Sequence, residues 1–164
     1  MTTRLAKTAW PRRGLVAVLV MLGAASVGCR DSQADAKQAG KVLNAGLQAH
    51  VEGRLDDATR DYEKVLSLEP ANKFALYNLG LLAQSSDRPA DAEARYREAL
   101  SLDPKYLPAL FNLAIVRTGQ GDMREAIDFY RRAIAVQPDY ADAHLNLGFV
   151  LKQVGEIAEG DAAL

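Results

Sequence analysis

Apolar residues recur at helical spacing in short runs through most of the chain. Leu76, Leu79, Leu82 and Ala83 make one stripe, and Leu110, Leu113, Ala114 and Val116 make another. Steps of three and four put one residue per turn on a single face, so each run predicts an amphipathic helix. Breakers separate the runs. Gly53 with Arg54, Ser85 to Arg88, Gly119 to Asp122 and Gly155 divide first helices from second ones, while Pro70, Pro104 and Pro138 close each pair. Pro89 falls just inside a helix start, where a missing N–H is no loss. Asp122 followed by Glu125 has capping-box spacing.

The runs are copies of one another. Asn78-Leu79-Gly80, Asn112-Leu113-Ala114 and Asn146-Leu147-Gly148 recur every 34 residues, with Asn44-Ala45-Gly46 one stride upstream. Ala58, Ala92 and Ala126 keep step; four residues after each comes Tyr62, Tyr96 or Tyr130, and eight further on comes Pro70, Pro104 or Pro138. A period of this length means that one supersecondary unit has been duplicated and that no copy buries its apolar face alone. The small residues allow close helix crossing, so Gly46, Gly80, Ala114 and Gly148 are expected to face Ala58, Ala92 and Ala126.

From about Ala39 onward this pattern resembles tetratricopeptide repeats, whose signature sets Trp-x2-Leu-Gly-x2-Tyr before Ala-x3-Phe and Pro. Val42, Leu76, Leu110 and His144 stand where that signature has Trp, and Ala49, Ala83, Arg117 and Leu151 where it has Tyr. The expected fold is an all-α solenoid of helix-turn-helix repeats. Three full units occupy 39–72, 73–106 and 107–140, and a partial fourth occupies 141–164.

Residues 1–28 are of another kind. Arg4, Lys7, Arg12 and Arg13 precede an apolar stretch from Leu15 to Val27, the order of a signal peptide or membrane anchor. The stretch from Gly14 to Gly28 spans roughly 22 Å as a helix, against a hydrocarbon core of about 30 Å. Cys29 is the single cysteine and follows it directly. The segment resembles a bacterial lipoprotein signal, which implies lipidation at Cys29; an uncleaved anchor and an ordinary cleaved signal are the other readings. Each puts the basic end inside and the repeats outside the cytoplasmic membrane, so the expected location is the bacterial cell envelope. Residues 29–38 are expected to be a polar linker.

Charge narrows the partners. Lys plus Arg number 20 against 21 Asp plus Glu, and removal of the four basic residues before Cys29 leaves 16 against 21. This mildly acidic balance disfavours nucleic acid. His50 and His144 stand at unlike places of their repeats, and no metal-ligand cluster, phosphate loop or nucleophile elbow is present. No catalysis and no cofactor are expected.

The resemblance implies that first helices line the concave side of the superhelix, where a repeated residue becomes a row. Asn44, Asn78, Asn112 and Asn146 are that row. Asn is a poor interior helix residue, and its amide can pair with the backbone of an extended peptide. Tyr77, Phe111, Leu81, Ile115, Phe149 and Phe74 flank the row as apolar groove candidates, with His50, Gln84, Thr118 and Lys152 one turn further. A carboxylate clamp is not expected, because Leu43, Leu47, Leu81 and Ile115 occupy its places. The expected function is thus a scaffold that binds an extended segment of a partner protein, the alternative being a structural subunit that docks in a membrane-associated complex through its convex face or C-terminal end. Leu145, Leu147, Val150 and Leu151 are expected to stay partly uncovered at the C-terminal end, a possible homodimer surface.

Overall fold

The computed structural model describes residues 24–163, and eight helices account for them: α1 Ala24–Val51, α2 Leu55–Leu68, α3 Lys73–Ser85, α4 Pro89–Leu102, α5 Leu107–Gly119, α6 Met123–Val136, α7 Ala141–Gln153 and α8 Ile157–Ala163. There is no strand among the described residues. The chain divides into two compact units, Met1–Ala34 and Asp35–Leu164. In the first, residues 24–34 are helical. Most of the expected signal segment, 1–23, and the side-chain surroundings of Cys29 lie outside the described residues. Among those described, no helix is long and apolar enough to cross a membrane.

Residues 29–38, expected as a polar linker, lie within α1. They are helical and run without a break into the first repeat. Their sequence explains it: between Arg30 and Ala39 there is neither Gly nor Pro, and Ala, Gln and Lys are good helix formers.

In the second unit the helices pack in chain order, α2 on α3, α3 on α4 and so on to α8. The core lies between them. Ala58, Tyr62, Val65, Ala75, Leu79 and Leu82 form one part of it, and Ala92, Tyr96, Leu110, Leu113, Ala126 and Tyr130 belong to the next. The face by which each first helix meets the preceding unit repeats: Ala75, Leu79 and Leu82; Ala109, Leu113 and Val116; Ala143, Leu147 and Val150, all buried. On α1 the same places are Lys41, Ala45 and Gln48, all exposed.

Two of the small first-helix residues, Gly46 and Gly80, face a ring. A Cβ added to Gly80 would lie 2.7 Å from Cδ1 of Tyr96 and closer still to Cε1, and one on Gly46 would meet Tyr62 at 2.9 Å. The expectation that these glycines face Ala58 and Ala92 is therefore revised. Each glycine makes room for the tyrosine that follows the repeat's alanine by four residues, and the buried alanines let the rest of the crossing close.

The turns inside each hairpin also repeat. Gly53, Gly121 and Gly155 have φ of 75°, 84° and 87°, and the equivalent place in the second unit holds Asp87 at φ 54°. A left-handed residue there reverses the chain in few positions, and Asp is among the few non-glycine residues that tolerate it. Pro89 sits at the start of α4 as expected. Asp122 is the N-cap of α6 but makes no capping bond, because its carboxylate is drawn to Arg117.

At the C-terminal end, Gly160 occupies the place of Ala126. It is buried against α7, where an added Cβ would come within 3.0 Å of the Gly148 carbonyl oxygen. Of the four residues expected to remain uncovered, Leu147, Val150 and Leu151 are buried and Leu145 is exposed.

Candidate peptide-binding face

Three of the four asparagines bond their own helices. Nδ2 of Asn78 donates to the Phe74 carbonyl at 2.7 Å, that of Asn112 to the Pro108 carbonyl at 2.9 Å, and that of Asn146 to the Asp142 carbonyl at 2.8 Å. Each spans four residues, so the amide lies along its helix in one fixed rotamer. Asn112 gives a second bond, 3.1 Å to the Tyr77 hydroxyl across the boundary between units. Asn44, the first of the row, is exposed.

Three residues after each asparagine, Leu47, Leu81, Ile115 and Phe149 are partly or largely exposed. Phe149 is 55% exposed and Phe74 49%, so neither is a core residue. Tyr77 and Phe111 are half-buried, and aromatic contacts explain why. Tyr77 packs on Tyr96 of α4 and, edge-on, on Tyr106 at the entry to α5, with centroids 5.8 and 5.5 Å away. Phe111 repeats the arrangement with Tyr130 at 5.9 Å and Tyr140 at 5.0 Å. Tyr77 also joins two units, through its bond from Asn112.

Tyr106 and Tyr140, the N-cap residues of α5 and α7, were not among the sequence candidates. They stand one stride apart, two residues after Pro104 and Pro138, and the equivalent Asn72 caps α3 by accepting from the Ala75 N–H at 3.0 Å. That register was the available signal. Phe74 meets Tyr106 edge-on at 5.9 Å, and Lys73 sits 5.4 and 5.0 Å from the two rings while pairing with Asp103 at 2.5 Å. Phe74, Asn72, Pro70 and Leu102 contribute to a pocket of about 670 Å³.

The row one turn further is committed inside each hairpin. The Tyr96 hydroxyl donates to Gln84 Oε1 at 2.8 Å and the Tyr62 hydroxyl lies 3.4 Å from His50 Nδ1, while Thr118 Oγ1 donates to the Ala114 carbonyl at 2.9 Å. These are internal bonds rather than a second rank of ligand contacts. Burial, with a smaller push from Asp61, raises Tyr62 to about 12. Burial also raises Tyr77, aided by Tyr140 and opposed by the bond from Asn112.

Charge concentrates elsewhere. Arg117, only 17% exposed, stands where the repeat signature has Tyr, and its guanidinium pairs with Glu93 on α4 at 3.0 Å, Glu125 on α6 at 2.6 Å, and Asp122. Arg97 joins the same carboxylates, at 2.9 Å to Glu93 and 2.5 Å to Glu125. Burial raises the Glu93 carboxyl, but the bonds from Arg97 and Gln120 and the two guanidinium charges outweigh it and hold the group below its ordinary value. Among the described residues no His, Cys, Asp and Glu group could hold a metal ion.

First helices α3 and α5 touch directly, whereas the second helices α4 and α6 meet through the long Arg97–Glu125 pair. The described helices form an α-solenoid of 34-residue hairpins. Residues 74–106 match the tetratricopeptide repeat model and residues 116–155 a TPR repeat model, so the chain carries tetratricopeptide repeats. A crystal structure of MamA is similar over 86% of this chain and 82% of that one, at 23% identity and a TM-score of 0.73. The first TPR of Spaghetti (RPAP3), bound to the HSP90 peptide SRMEEVD, is similar over 73% of this chain and 94% of that one, at 21% identity and 0.69. A mutant O-GlcNAc transferase of Thermobaculum terrenum shares 30% identity over 71% of this chain, which spans 22% of that enzyme, with a TM-score of 0.66. No curated protein sequence matches.

Proposed function

We propose that this chain is an envelope-anchored scaffold that binds an extended segment of a partner protein along its first-helix face. One observation carries the reading: Asn78, Asn112 and Asn146 repeat at one stride, each locked to its own helix, beside the accessible apolar row Leu47, Leu81, Ile115 and Phe149. First helices about 10 Å apart match roughly three residues of extended chain at ~3.3 Å each. One bond per amide is worth only ~1 kcal/mol, so the apolar row supplies most of the affinity. Anchoring rests on the basic residues, the apolar stretch and Cys29 in sequence order, with lipidation at Cys29 and the repeats outside the cytoplasmic membrane. The reading involves no catalysis, no cofactor and no nucleic acid.

The test is photo-cross-linking in intact cells from Ile115 on the first-helix face and from Arg124 on α6, with adducts identified by mass spectrometry. Partner adducts at Ile115 and none at Arg124 are expected; the reverse pattern overturns the reading. A second reading is favoured by the exposed Leu145, Phe149 and Val154: the α7 end docks a second copy or a subunit of a membrane complex. A sedimentation mass of one chain at high concentration removes the homodimer.

A further inference from the structure

The 34-residue stride allows one joint of the array to be compared with the next. Where α4, α5 and α6 meet, the guanidinium of Arg117 fills the space between Glu93, Asp122 and Glu125. Where α2, α3 and α4 meet, the place of Arg117 is held by the buried Ala83. The shorter side chain leaves a cleft of about 310 Å³. Its lining follows the surroundings of Arg117 in register: Thr59 stands where Glu93 does, Glu63 where Arg97 does, and Asp91 where Glu125 does.

The cleft has the parts of a guanidinium seat. Leu79 and Ala83, both buried, give it an apolar floor on which the methylenes of a long side chain can lie. Thr59 Oγ1 donates to the Leu55 carbonyl at 2.9 Å, so its oxygen is left to accept. Glu63 lies one turn further along α2 and has no cation partner among the described residues. The other charges of the lining are matched, Arg88 with Asp91 at 3.0 Å and Arg95 with Glu98 at 3.1 Å. A single negative charge, that of Glu63, remains to be balanced. Because both lining cations are paired, none is left to receive the α-carboxylate of a free amino acid.

We infer that this cleft takes the guanidinium of an arginine presented by a partner protein. The guest enters from solvent the kind of space that Arg117 fills from within one joint further on, and its fork donates to Glu63 and Thr59. The site lies between α2, α3 and α4 and does not depend on the asparagine row.

The probe is N-acetyl-arginine methylamide, titrated into the isotope-labelled full-length chain in detergent micelles and followed by amide chemical shifts. Shifts should gather around Thr59, Glu63 and Ala83 and saturate in the millimolar range, as expected for one charge-assisted contact. The neutral isostere N-acetyl-citrulline methylamide should bind at least ~10-fold more weakly, and Glu63→Gln should weaken the arginine probe about 10-fold. Ala83→Arg sets the chain's own guanidinium in the cleft and should abolish binding. The inference fails if the arginine and citrulline probes bind alike, if Glu63→Gln leaves the affinity unchanged, or if folded Ala83→Arg protein still binds. Should Ala83→Arg not fold, the citrulline comparison and Glu63→Gln decide alone. Free arginine binding ~10-fold more tightly than the capped probe would make the ligand a free amino acid and overturn the partner assignment. Failure here leaves the scaffold reading untouched.

Discussion

The same substitution, glycine to alanine, should act with opposite sign at two places in this chain. Gly40 lies within α1, and a Cβ there meets nothing within 4 Å. Gly80 lies within α3, where the added carbon would stand 2.7 Å from Tyr96 Cδ1 and 3.0 Å from Cζ. Both sites gain the helix propensity of alanine, ~1 kcal/mol. Gly80→Ala also overpacks a core contact, at about 1–3 kcal/mol. The ring cannot easily move, because its hydroxyl is tied to Gln84 and Tyr77 packs beside it. Gly40→Ala should thus stabilise by up to ~1 kcal/mol, and Gly80→Ala should destabilise by roughly 0–2 kcal/mol. Propensity cancels in their difference, which isolates the overpacking. In urea unfolding followed by helical circular dichroism, the two midpoints should separate by on the order of 1 M. Coincident midpoints, with both above the parent, would refute the glycine–tyrosine packing.

Asp87→Gly should raise stability by up to ~1 kcal/mol, since it relieves a left-handed residue at a place where three glycines already stand; the urea midpoint reads it. Arg117→Met takes the guanidinium away from Asp122 and leaves Glu93 and Glu125 to Arg97 alone, and should cost about 1–3 kcal/mol at neutral pH. Glu93 is held below its ordinary value, so its contribution is present above the unfolded carboxylate range near ~4.3 and is lost as pH falls through the folded value. The gap between parent and Arg117→Met should therefore narrow on acidification. Tyr62 is raised to about 12, so its contribution is complete below the ordinary value near ~10 and disappears as pH rises towards the folded one; Tyr62→Phe should flatten the alkaline limb of the stability profile. Cys29→Ser should abolish acylation of the mature N-terminus and release the chain from the membrane fraction, checked by intact mass and fractionation.

The architecture was legible because a stride records position. Each copy that keeps Asn, a small residue and Tyr in step declares the same hairpin, and the breakers fell where the turns are. Contacts between elements are not encoded that way. Tyr106 and Tyr140 act by reaching Tyr77 and Phe111 from the entries to α5 and α7, and nothing in the periodicity marks a loop residue as part of the face. Likewise His50 and Gln84 share a register place but no side-chain chemistry, so their common task of meeting a buried tyrosine hydroxyl emerges only from the packing. Arg117 shows the converse: an unusual residue at an aromatic place was visible, while its carboxylate partners on α4 and α6 were not. The asparagine row was readable as a row, but which amide atoms it offers depended on bonds to carbonyls one turn back.

The wetted flank of α1 gives the array a direction of growth. Where later hairpins offer Ala, Leu and Leu or Val to a predecessor, α1 offers Lys41, Ala45 and Gln48 to solvent. A further hairpin grafted upstream would find no greasy seat there and would hang loose until those three codons changed. Lengthening by duplication within the array meets no such obstacle.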